Sequence, residues 1–463
     1  MKHTILIFLL FISAVLQGQI VVYPVPQEMY YAMHNDDFTV QVRTSNGDWQ
    51  DLYEYKVEVD ADSKSVASMV QFDFRGKIEI RVKVNNGSVN NIKIRPLQKN
   101  IVPKTIDNVV CFSLENPTKL SFEVNGDRLH NLHIFANPIT TENFLPTDKD
   151  VTYFGKGVHI PSDSIQKAFI IPSNKTVYID AGAIVCGKFL CENVENVRFA
   201  GRGFIYNAER GFELKFCKNI EIDGVTVINP RHYTVYGGQT TGLKINNLKS
   251  FSNRGWSDGI DLMSCSNVAI NDVFMRNSDD CIALYTHRWD FYGDAKNYNI
   301  TNAILWADIA HPINIGLHGD TSHEGNVIEN IRFSEIDILE HDEDDRNYQG
   351  CMAFSVSDHN LVQNVSFENI RVENIQEGQL LNLRVLYNEK YSSGAGRGIR
   401  NISFKNIYYN GYGENPSIIE GYSDRNHIEN VKFENIIVNG TKIETLEEGN
   451  IRVGKFTKNI TIE

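Results

Sequence analysis

A short repeated pattern is the feature of this sequence that most restricts its fold. Each copy begins with Asn, followed by an aliphatic residue, a variable residue, and then another aliphatic residue or Phe. This alternation is typical of a β-strand with one buried face. Successive copies are 23 to 37 residues apart, intervals mostly too short for a strand plus a crossover helix. Clear copies begin at Asn196, Asn219, Asn267, Asn330, Asn364, Asn401 and Asn430, and weaker ones near Gly242, Asn297 and Asn459.

A chain with this repeat must wind strand directly onto strand, as a right-handed parallel β-helix does. A leucine-rich repeat is the structural rival, but its Leu-dense signature is absent. In a β-helix the recurring Asn residues would form a ladder at a turn, while Ile, Val, Leu and Phe stack inside. We therefore predict an all-β chain whose residues 146–463 form a single-stranded parallel β-helix.

The part of the chain before this repeat has a different pattern. Polar and apolar residues alternate in short runs such as 38–42 and 77–82, separated by Asn-Gly turns. This is typical of antiparallel strands packed against each other. We predict a small β-sandwich domain over residues 19–145.

The first 18 residues resemble an export signal. Lys2 and His3 precede an apolar run from Ile5 to Leu16, which is too short to span a bilayer. The protein is therefore predicted to be secreted or periplasmic, with no membrane span.

Composition excludes several other classes of protein. Hydrophobic residues make up 42% and charged residues 22% of the 463 positions, as in soluble globular proteins. The formal net charge of −13 makes nucleic acid an unfavourable partner. Seven cysteines with no Cys-x-x-Cys pair predict neither a disulfide scaffold nor a zinc site. No cofactor and no metal are expected, and the chain should be a monomer or a simple homo-oligomer.

Aligning neighbouring coils brings three acids together. Asp258 precedes Ile260 and Leu262 as Asp280 precedes Ile282 and Leu284, so the two acids should stack on successive coils. Asp279 lies beside Asp280. In an unbroken strand Asp258 and Asp280 would face the apolar interior, which is too costly for unpaired charges. We therefore expect a turn or bulge just before each aliphatic pair, which would expose all three carboxyl groups at a cleft.

Later coils extend the alignment. With Ile315 and Leu317 pointing inward, His318 would lie in the same outward column as Tyr285. A second outward column would run through Asp261, Ala283, Gly316, Ser355 and Arg384, whose small members leave a groove suited to an elongated polymer. Aromatic residues such as Trp256 could stack on sugar rings, and the loop residues Arg288 and His311 could line the cleft.

Carboxyl groups in such a patch can cleave a glycosidic bond. One protonated carboxyl group donates to the leaving oxygen, while a carboxylate activates water. Crowded carboxylates also push one another's pKa values apart, which keeps one of them protonated.

Three segments of this patch resemble motifs of the polygalacturonase family, glycoside hydrolase family 28. They are 256–261, 277–283 and 317–319, similar to that family's Asn-Thr-Asp-Gly, Asp-Asp-Cys and Gly-His-Gly motifs. The resemblance implies that Asp279 is the general acid and that Asp258 and Asp280 hold and activate water. It also implies that His318 supports the site.

The sequence departs from the family motifs at several positions. Trp256 and Ser257 replace Asn and Thr, Leu317 replaces the first Gly, and only Arg384 remains of an Arg-x-Lys motif that grips the substrate carboxylate. The chain also resembles the dextranase and isopullulanase family, which joins a β-sandwich to a β-helix and has a similar later Arg. The predicted substrate-binding residues are Trp256, Tyr285, Arg288, His311 and Arg384.

Three classes of function are compatible with these features. The favoured one is an inverting glycoside hydrolase acting on α-linkages of a polysaccharide, of pectic type or, as in the second family, a neutral α-glucan. A β-helix polysaccharide lyase or epimerase is the second class. A carbohydrate-binding protein without catalysis is the third.

Overall fold

The computed structural model describes residues 18–411 and 415–463. The predicted export signal therefore lies outside the described residues, apart from Gly18. The described part consists almost wholly of β-strands, with short 3-10 helices at Gln27–Met29 and Leu97–Lys99. No helix in the described ranges is long and apolar enough to cross a membrane.

The N-terminal part forms two sheets packed face to face, one of six strands and one of five. Their inner faces bury a core of Val, Ile, Leu and Phe side chains. The pairing is antiparallel as predicted, except that the fifth and eleventh strands run parallel. The strands are β1 Gln19–Val22, β2 Phe38–Thr44, β3 Gln50–Asp51, β4 Tyr55–Val59, β5 Ser65–Arg75, β6 Ile78–Val84, β7 Ile92–Arg95, β8 Lys104–Ile106, β9 Val109–Leu114, β10 Thr118–Val124 and β11 Asp127–Pro138.

The rest of the chain is a parallel β-helix, which confirms the predicted fold class. Strands of successive coils pair in parallel and build two long sheets. The first half contains β12 Val151–Phe154, β13 Gly157–His159, β14 Ala168–Ile170, β15 Thr176–Ile179, β16 Ala183–Val185, β17 Lys188–Glu192, β18 Glu195–Gly201, β19 Phe204–Tyr206, β20 Phe212–Lys215, β21 Lys218–Asp223, β22 Thr226–Ile228, β23 Val235–Gly238, β24 Thr241–Asn246, β25 Lys249–Phe251, β26 Ile260–Met263, β27 Ser266–Asn271, β28 Phe274–Ser278 and β29 Ile282–Tyr285.

The second half begins with a short antiparallel hairpin, β30 and β31, and then continues the coils. Its strands are β30 His287–Arg288, β31 Phe291–Tyr292, β32 Ala295–Thr301, β33 Ile304–Ile309, β34 Ile313–Ile315, β35 Val327–Glu340, β36 Met352–Val356, β37 Leu361–Val372, β38 Leu381–Val385, β39 Gly398–Tyr409, β40 Ser417–Glu420, β41 Ile428–Val438, β42 Thr441–Lys442, β43 Ile451–Val453 and β44 Thr457–Ile462.

The repeated Asn forms the predicted ladder. Asn297 and Asn330 illustrate it: each has a positive φ, and the Asn330 amide donates to Asn297 Oδ1 at 3.3 Å. Asn tolerates this left-handed conformation better than most residues do, and its side chain here bonds to the next coil. Inside the helix, aromatic rings stack in the same register, with Phe367 and Phe404 5.1 Å apart. All seven cysteines are free.

Candidate active site

Two short turns between the sheets of the β-helix carry the predicted acids. β28 ends at Ser278 and β29 begins at Ile282, so the expected break in the strand is present around Asp279 and Asp280. Ile260 pairs with Ile282, which stacks Asp258 on Asp280 as the alignment predicted. Gly259 permits the close approach of the two turns, since a Cβ there would lie 2.3 Å from the Cys281 carbonyl oxygen.

Hydrogen bonds of Asn277 tie these two turns together. Its side-chain amide donates to Ser252 Oγ at 2.9 Å and to the Ser257 carbonyl at 3.3 Å. Because Ser257 precedes Asp258 and Asn277 lies just before Asp279, this amide fixes the two acid-bearing segments relative to each other. One oxygen from each of Asp258, Asp279 and Asp280 lies within 4.8 Å of the others.

Asp280 is the acid with the most hydrogen-bond donors around it. Its Oδ1 accepts from the backbone and Nδ1 of His311, at 3.1 and 2.6 Å. Its Oδ2 accepts from Asn314 Nδ2 at 2.8 Å and from the Tyr285 hydroxyl at 3.4 Å. Burial raises the pKa of Asp280, but the charge and hydrogen bonds of His311 outweigh burial and hold the pKa below its ordinary value. Asp280 is therefore ionised at neutral pH.

His311 must be doubly protonated, because both of its ring nitrogens face groups that only accept. Nδ1 contacts Asp280, and Nε2 contacts the carbonyl oxygen of Tyr348. Burial lowers the pKa of His311, whereas the Asp280 carboxylate raises it, and the result is a pKa of about 9. The sequence analysis predicted that His311 binds substrate. Its imidazole is fully buried and cannot touch a substrate, so that prediction is wrong. The ring contacts Asp280 instead.

The register of β34 explains why the sequence favoured a different histidine. Ile282 pairs with Ile313, two residues earlier than predicted, so His311 follows Asp258 and Asp280 in the same stack. Gly316, with a φ of +91°, follows the end of β34, and Leu317 after it packs with Tyr285 and Tyr348 at the cleft. Gly316 is thus not in the column of Ala283, which instead pairs with Asn314.

His318 still lies beside Tyr285, as expected, with ring centroids 4.9 Å apart. Its pKa is lowered to about 3, first by burial and then by the positive charge of Arg288. The ring is therefore neutral at physiological pH and offers hydrogen bonding rather than charge.

Asp279 is the half-buried member of the trio. Its oxygens accept from the backbone N–H groups of Trp256 at 2.7 Å and Asp280 at 3.1 Å. Its pKa is raised to about 6, chiefly by burial and then by the neighbouring charge of Asp280. Asp279 therefore keeps its proton well above the ordinary range of an aspartic acid.

Asp258 is buried, and its Oδ1 has no hydrogen-bond partner among the described residues. Burial and then the charges of Asp261, Asp279 and Asp280 raise its pKa well above the ordinary value. The three acids therefore differ: the pKa of Asp280 is lowered, while the pKa values of Asp258 and Asp279 are raised. Clustered acids whose pKa values are pushed apart in this way suit acid–base chemistry.

The acids open onto a cleft of about 440 Å³. A second cavity of about 420 Å³ shares Arg288, His318 and Tyr391 with it. The cleft is lined by Tyr233, Trp256, Asp258, Asp279, Asp280, Tyr285, Arg288, Ile309, Ala310, Leu317, His318, Glu343, Asp344, Tyr348, Lys390 and Tyr391.

Comparison with models of protein families identifies the family of this chain. The model described as "Glycosyl hydrolases family 28" matches residues 205–455, more than half of the chain. The chain belongs to glycosyl hydrolase family 28. The matched range includes Asp258, Asp279 and Asp280.

Individual relatives are more distant. An exopolygalacturonase of Arabidopsis thaliana is 24% identical over 243 residues, covering 47% of this chain and 53% of the relative. Exopolygalacturonase B of Aspergillus niger is 23% identical over 214 residues, covering 43% and 45%. The chain thus spans about half the length of the curated relatives it matches. Dex49A from Penicillium minioluteum has the same fold, with a TM-score of 0.56, 13% identity and coverage of 93% of this chain and 94% of that one.

Among the predicted substrate-binding residues of this family 28 chain, Trp256, Tyr285 and Arg288 line the cleft. Trp256 is 71% exposed at its rim. Arg384 does not line it: its guanidinium donates to the Asn347 carbonyl at 3.1 Å and lies 4.0 Å from Glu420. Its contacts are with Asn347 and Glu420, neither of which lines the cleft.

Several residues at the cleft were missed by the sequence reasoning. Asn314 bonds Asp280, and Tyr348 bonds both Asn314 and His311. Lys390 and Tyr391 enter from a loop after β38. Asn314 could have been found by pairing Ile313 and Ile315 with Ile282 and Leu284, whereas the loop residues carry no repeat signal.

Proposed function

We propose that this family 28 chain is a secreted hydrolase that cleaves α-linked galacturonic acid residues in a pectic polymer with inversion of configuration. The observation that carries this proposal is the cluster of Asp258, Asp279 and Asp280 at the cleft, in which only Asp280 is paired with His311. An acid that keeps its proton and a carboxylate that does not are the two groups that glycoside hydrolysis requires.

In this proposal Asp279 is the general acid. Its pKa of about 6 leaves it protonated in mildly acidic solution, and its position on the cleft side gives it access to a leaving oxygen. The hydrogen bonds from Trp256 and Asp280 hold its carboxyl group in one orientation.

Asp280 is the general base that accepts a proton from the attacking water. The imidazolium of His311 keeps it ionised, and Asn314 orients it. Asp258, stacked beside Asp280, supplies a second carboxyl group to hold the water. His311 acts only through Asp280 and is a positioning residue, while His318 offers a neutral ring at the cleft.

Water, rather than a side chain, is the nucleophile that this arrangement favours. The two oxygens of Asp280 already accept hydrogen bonds from His311, Asn314 and Tyr285, and Asp258 favours its protonated form. A protonated carboxyl group is a poor nucleophile, and the bonds from His311 and Asn314 hold the buried Asp280 carboxylate in place. The contact from the Tyr285 hydroxyl is long, at 3.4 Å, so a water can replace it and give its proton to Asp280 Oδ2. Direct displacement by water inverts the anomeric centre.

The short distances between the three acids are compatible with direct attack by water because there are three acids rather than two. Oxygens within 4.8 Å are closer than the ~6.5–9.5 Å common between two facing carboxyl groups of inverting enzymes. With three acids, the water is held from one side by Asp258 and Asp280. It therefore does not have to fit between the acid and a single opposing base.

Cations near the acids support an anionic sugar as substrate. Arg288 and Lys390 line the cleft, and either could pair with a uronate carboxylate. The names of the curated relatives, exopolygalacturonases, point the same way. The alternatives of a neutral α-glucan, a lyase or a purely binding role have no comparable support. Secretion rests on the N-terminal apolar run alone.

Release of reducing ends from a panel of polymers tests the substrate. We expect the purified protein to release them from polygalacturonate, and Asp279→Asn to slow the release by at least about 100-fold. Rhamnogalacturonan, dextran and pullulan should yield little. Release from dextran or pullulan, with polygalacturonate untouched, would contradict the pectic assignment.

A further inference from the structure

We propose that the N-terminal β-sandwich is a positioning element of the active site, acting through residues 58–61, which brace both acid-bearing turns. This inference rests on the proposed roles of Asp258, Asp279 and Asp280. It assigns a function to a domain in which the sequence carries no obvious chemistry.

The sandwich packs on the β-helix directly behind these turns. β4 lies against β25 and β28, the strands that lead into the turns of Asp258 and Asp279. An apolar interface accompanies this contact, in which Phe135 of β11 meets Phe274 of β28 edge-on at 5.0 Å. Apolar burial of this kind fixes the sandwich on the strands without aiming any particular side chain.

Glu58, at the end of β4, reaches the first turn. Its Oε2 accepts from Asn253 Nδ2 at 2.9 Å. Asn253 begins the segment that runs to Asp258, and it is largely buried. The bond therefore holds the start of the segment on which Asp258 is carried.

Ala61 reaches the second turn. Its backbone N–H donates to Ser278 Oγ at 3.0 Å, and Ser278 is the residue directly before Asp279. The pairing of β28 with β33 shifts register between Asn277 and Ser278. Such a bulge re-aims side chains and leaves the ladder locally incomplete. The sandwich thus supplies a hydrogen bond where the β-helix ladder is interrupted.

A buried ion pair links the same contact to the histidine. Arg276 Nε lies 3.0 Å from Asp308 Oδ2, and the backbone N–H of Asp60 donates to the same oxygen at 3.2 Å. Arg276 also donates to Asn131 of the sandwich at 2.9 Å. Asp308 lies three residues before His311, so the sandwich contacts the strands leading to both members of the Asp280–His311 pair.

Glu58 provides the sharpest test, because it is only partly buried and its loss should not unfold the chain. We expect Glu58→Ala to lower kcat about tenfold with KM changed less than about twofold, because misplaced acids weaken the transition state more than binding. Glu58→Gln keeps an acceptor for Asn253 and should restore most of kcat. Lys56→Ala, on the same face of β4, is the matched control and should behave as wild type.

Hydrogen exchange on the same variants makes the test independent of the glycan. Glu58→Ala should exchange faster over residues 253–259, with Glu58→Gln and Lys56→Ala unchanged. If exchange there and the kcat of Glu58→Ala both match wild type, the sandwich does not position the acids and the inference is wrong. If the wild-type protein cleaves no polymer but Glu58→Ala still exchanges faster over residues 253–259, the proposed function is wrong. The positioning of this segment by the sandwich would then still be supported.

Discussion

Replacing Asp279 with Asn is expected to lower kcat by about 10²–10⁴-fold, the range typical of a lost general acid. Asn has nearly the same shape and can keep contact with the Trp256 N–H, but it has no acidic proton for the leaving oxygen. Folding should be little affected, because the substitution removes a half-buried carboxyl group whose pKa is already raised by burial. Steady-state rates and a thermal unfolding curve measure the two effects separately.

Two comparisons identify the lost step as proton donation. A galacturonide with a dinitrophenol leaving group needs no protonation, so Asp279→Asn should cleave it far better, relative to wild type, than it cleaves polymer. Asp344→Asn is the matched control, since Asp344 lines the same cleft but is exposed, and it should retain nearly full activity. An equal loss of kcat on both substrates would show that Asp279 is not the general acid.

Replacing His311 with Ala is expected to lower kcat by about 100-fold, because Asp280 loses the cation that keeps it ionised. The pKa of Asp280 should then rise, which moves the acidic limb of the pH–rate profile to higher pH. Breaking a buried ion pair also costs about 3–5 kcal/mol of unfolding free energy. His323→Ala, an exposed histidine paired with Asp320, is the control and should show neither effect.

The stability cost of His311→Ala should depend on pH in a defined direction. The pKa of His311 is raised to about 9, so its contribution is fully present below about pH 6.5 and is lost as pH rises through about 9. The pKa of Asp280 is lowered, so its contribution is present above about pH 4 and is lost in stronger acid. Urea unfolding should therefore show the largest difference from wild type near pH 5 to 6. A difference that grew toward pH 9 would contradict a charged His311.

The fold could be predicted because its signal is local and repeated. Each repeated Asn adopts the same left-handed conformation, and the aliphatic residues of each copy face the same interior. One copy of the repeat therefore predicts the structure of the others. The stacking of Asp258 and Asp280 followed for the same reason, because each precedes two aliphatics of identical spacing.

The histidine could not be assigned in the same way. Ile313, Ile315 and Leu317 alternate as three aliphatics, so two registers fit the pattern equally well. The positive φ of Gly316 selects between them, and nothing in the alternation shows it. The protonation states also depend on Tyr348, from a loop, and on Arg288, from the β30–β31 hairpin, and neither segment belongs to the repeat.

Proton NMR of a fresh polygalacturonate digest tests the central claim most directly, because it reports substrate, bond chemistry and stereochemistry together. Inverting hydrolysis of an α-linkage predicts that the β-anomer of the new reducing end appears first and then equilibrates with the α-anomer. The α-anomer appearing first would require a covalent intermediate and contradict water as the nucleophile. Vinyl protons of an unsaturated product, or an unchanged polymer, would contradict hydrolysis of this substrate.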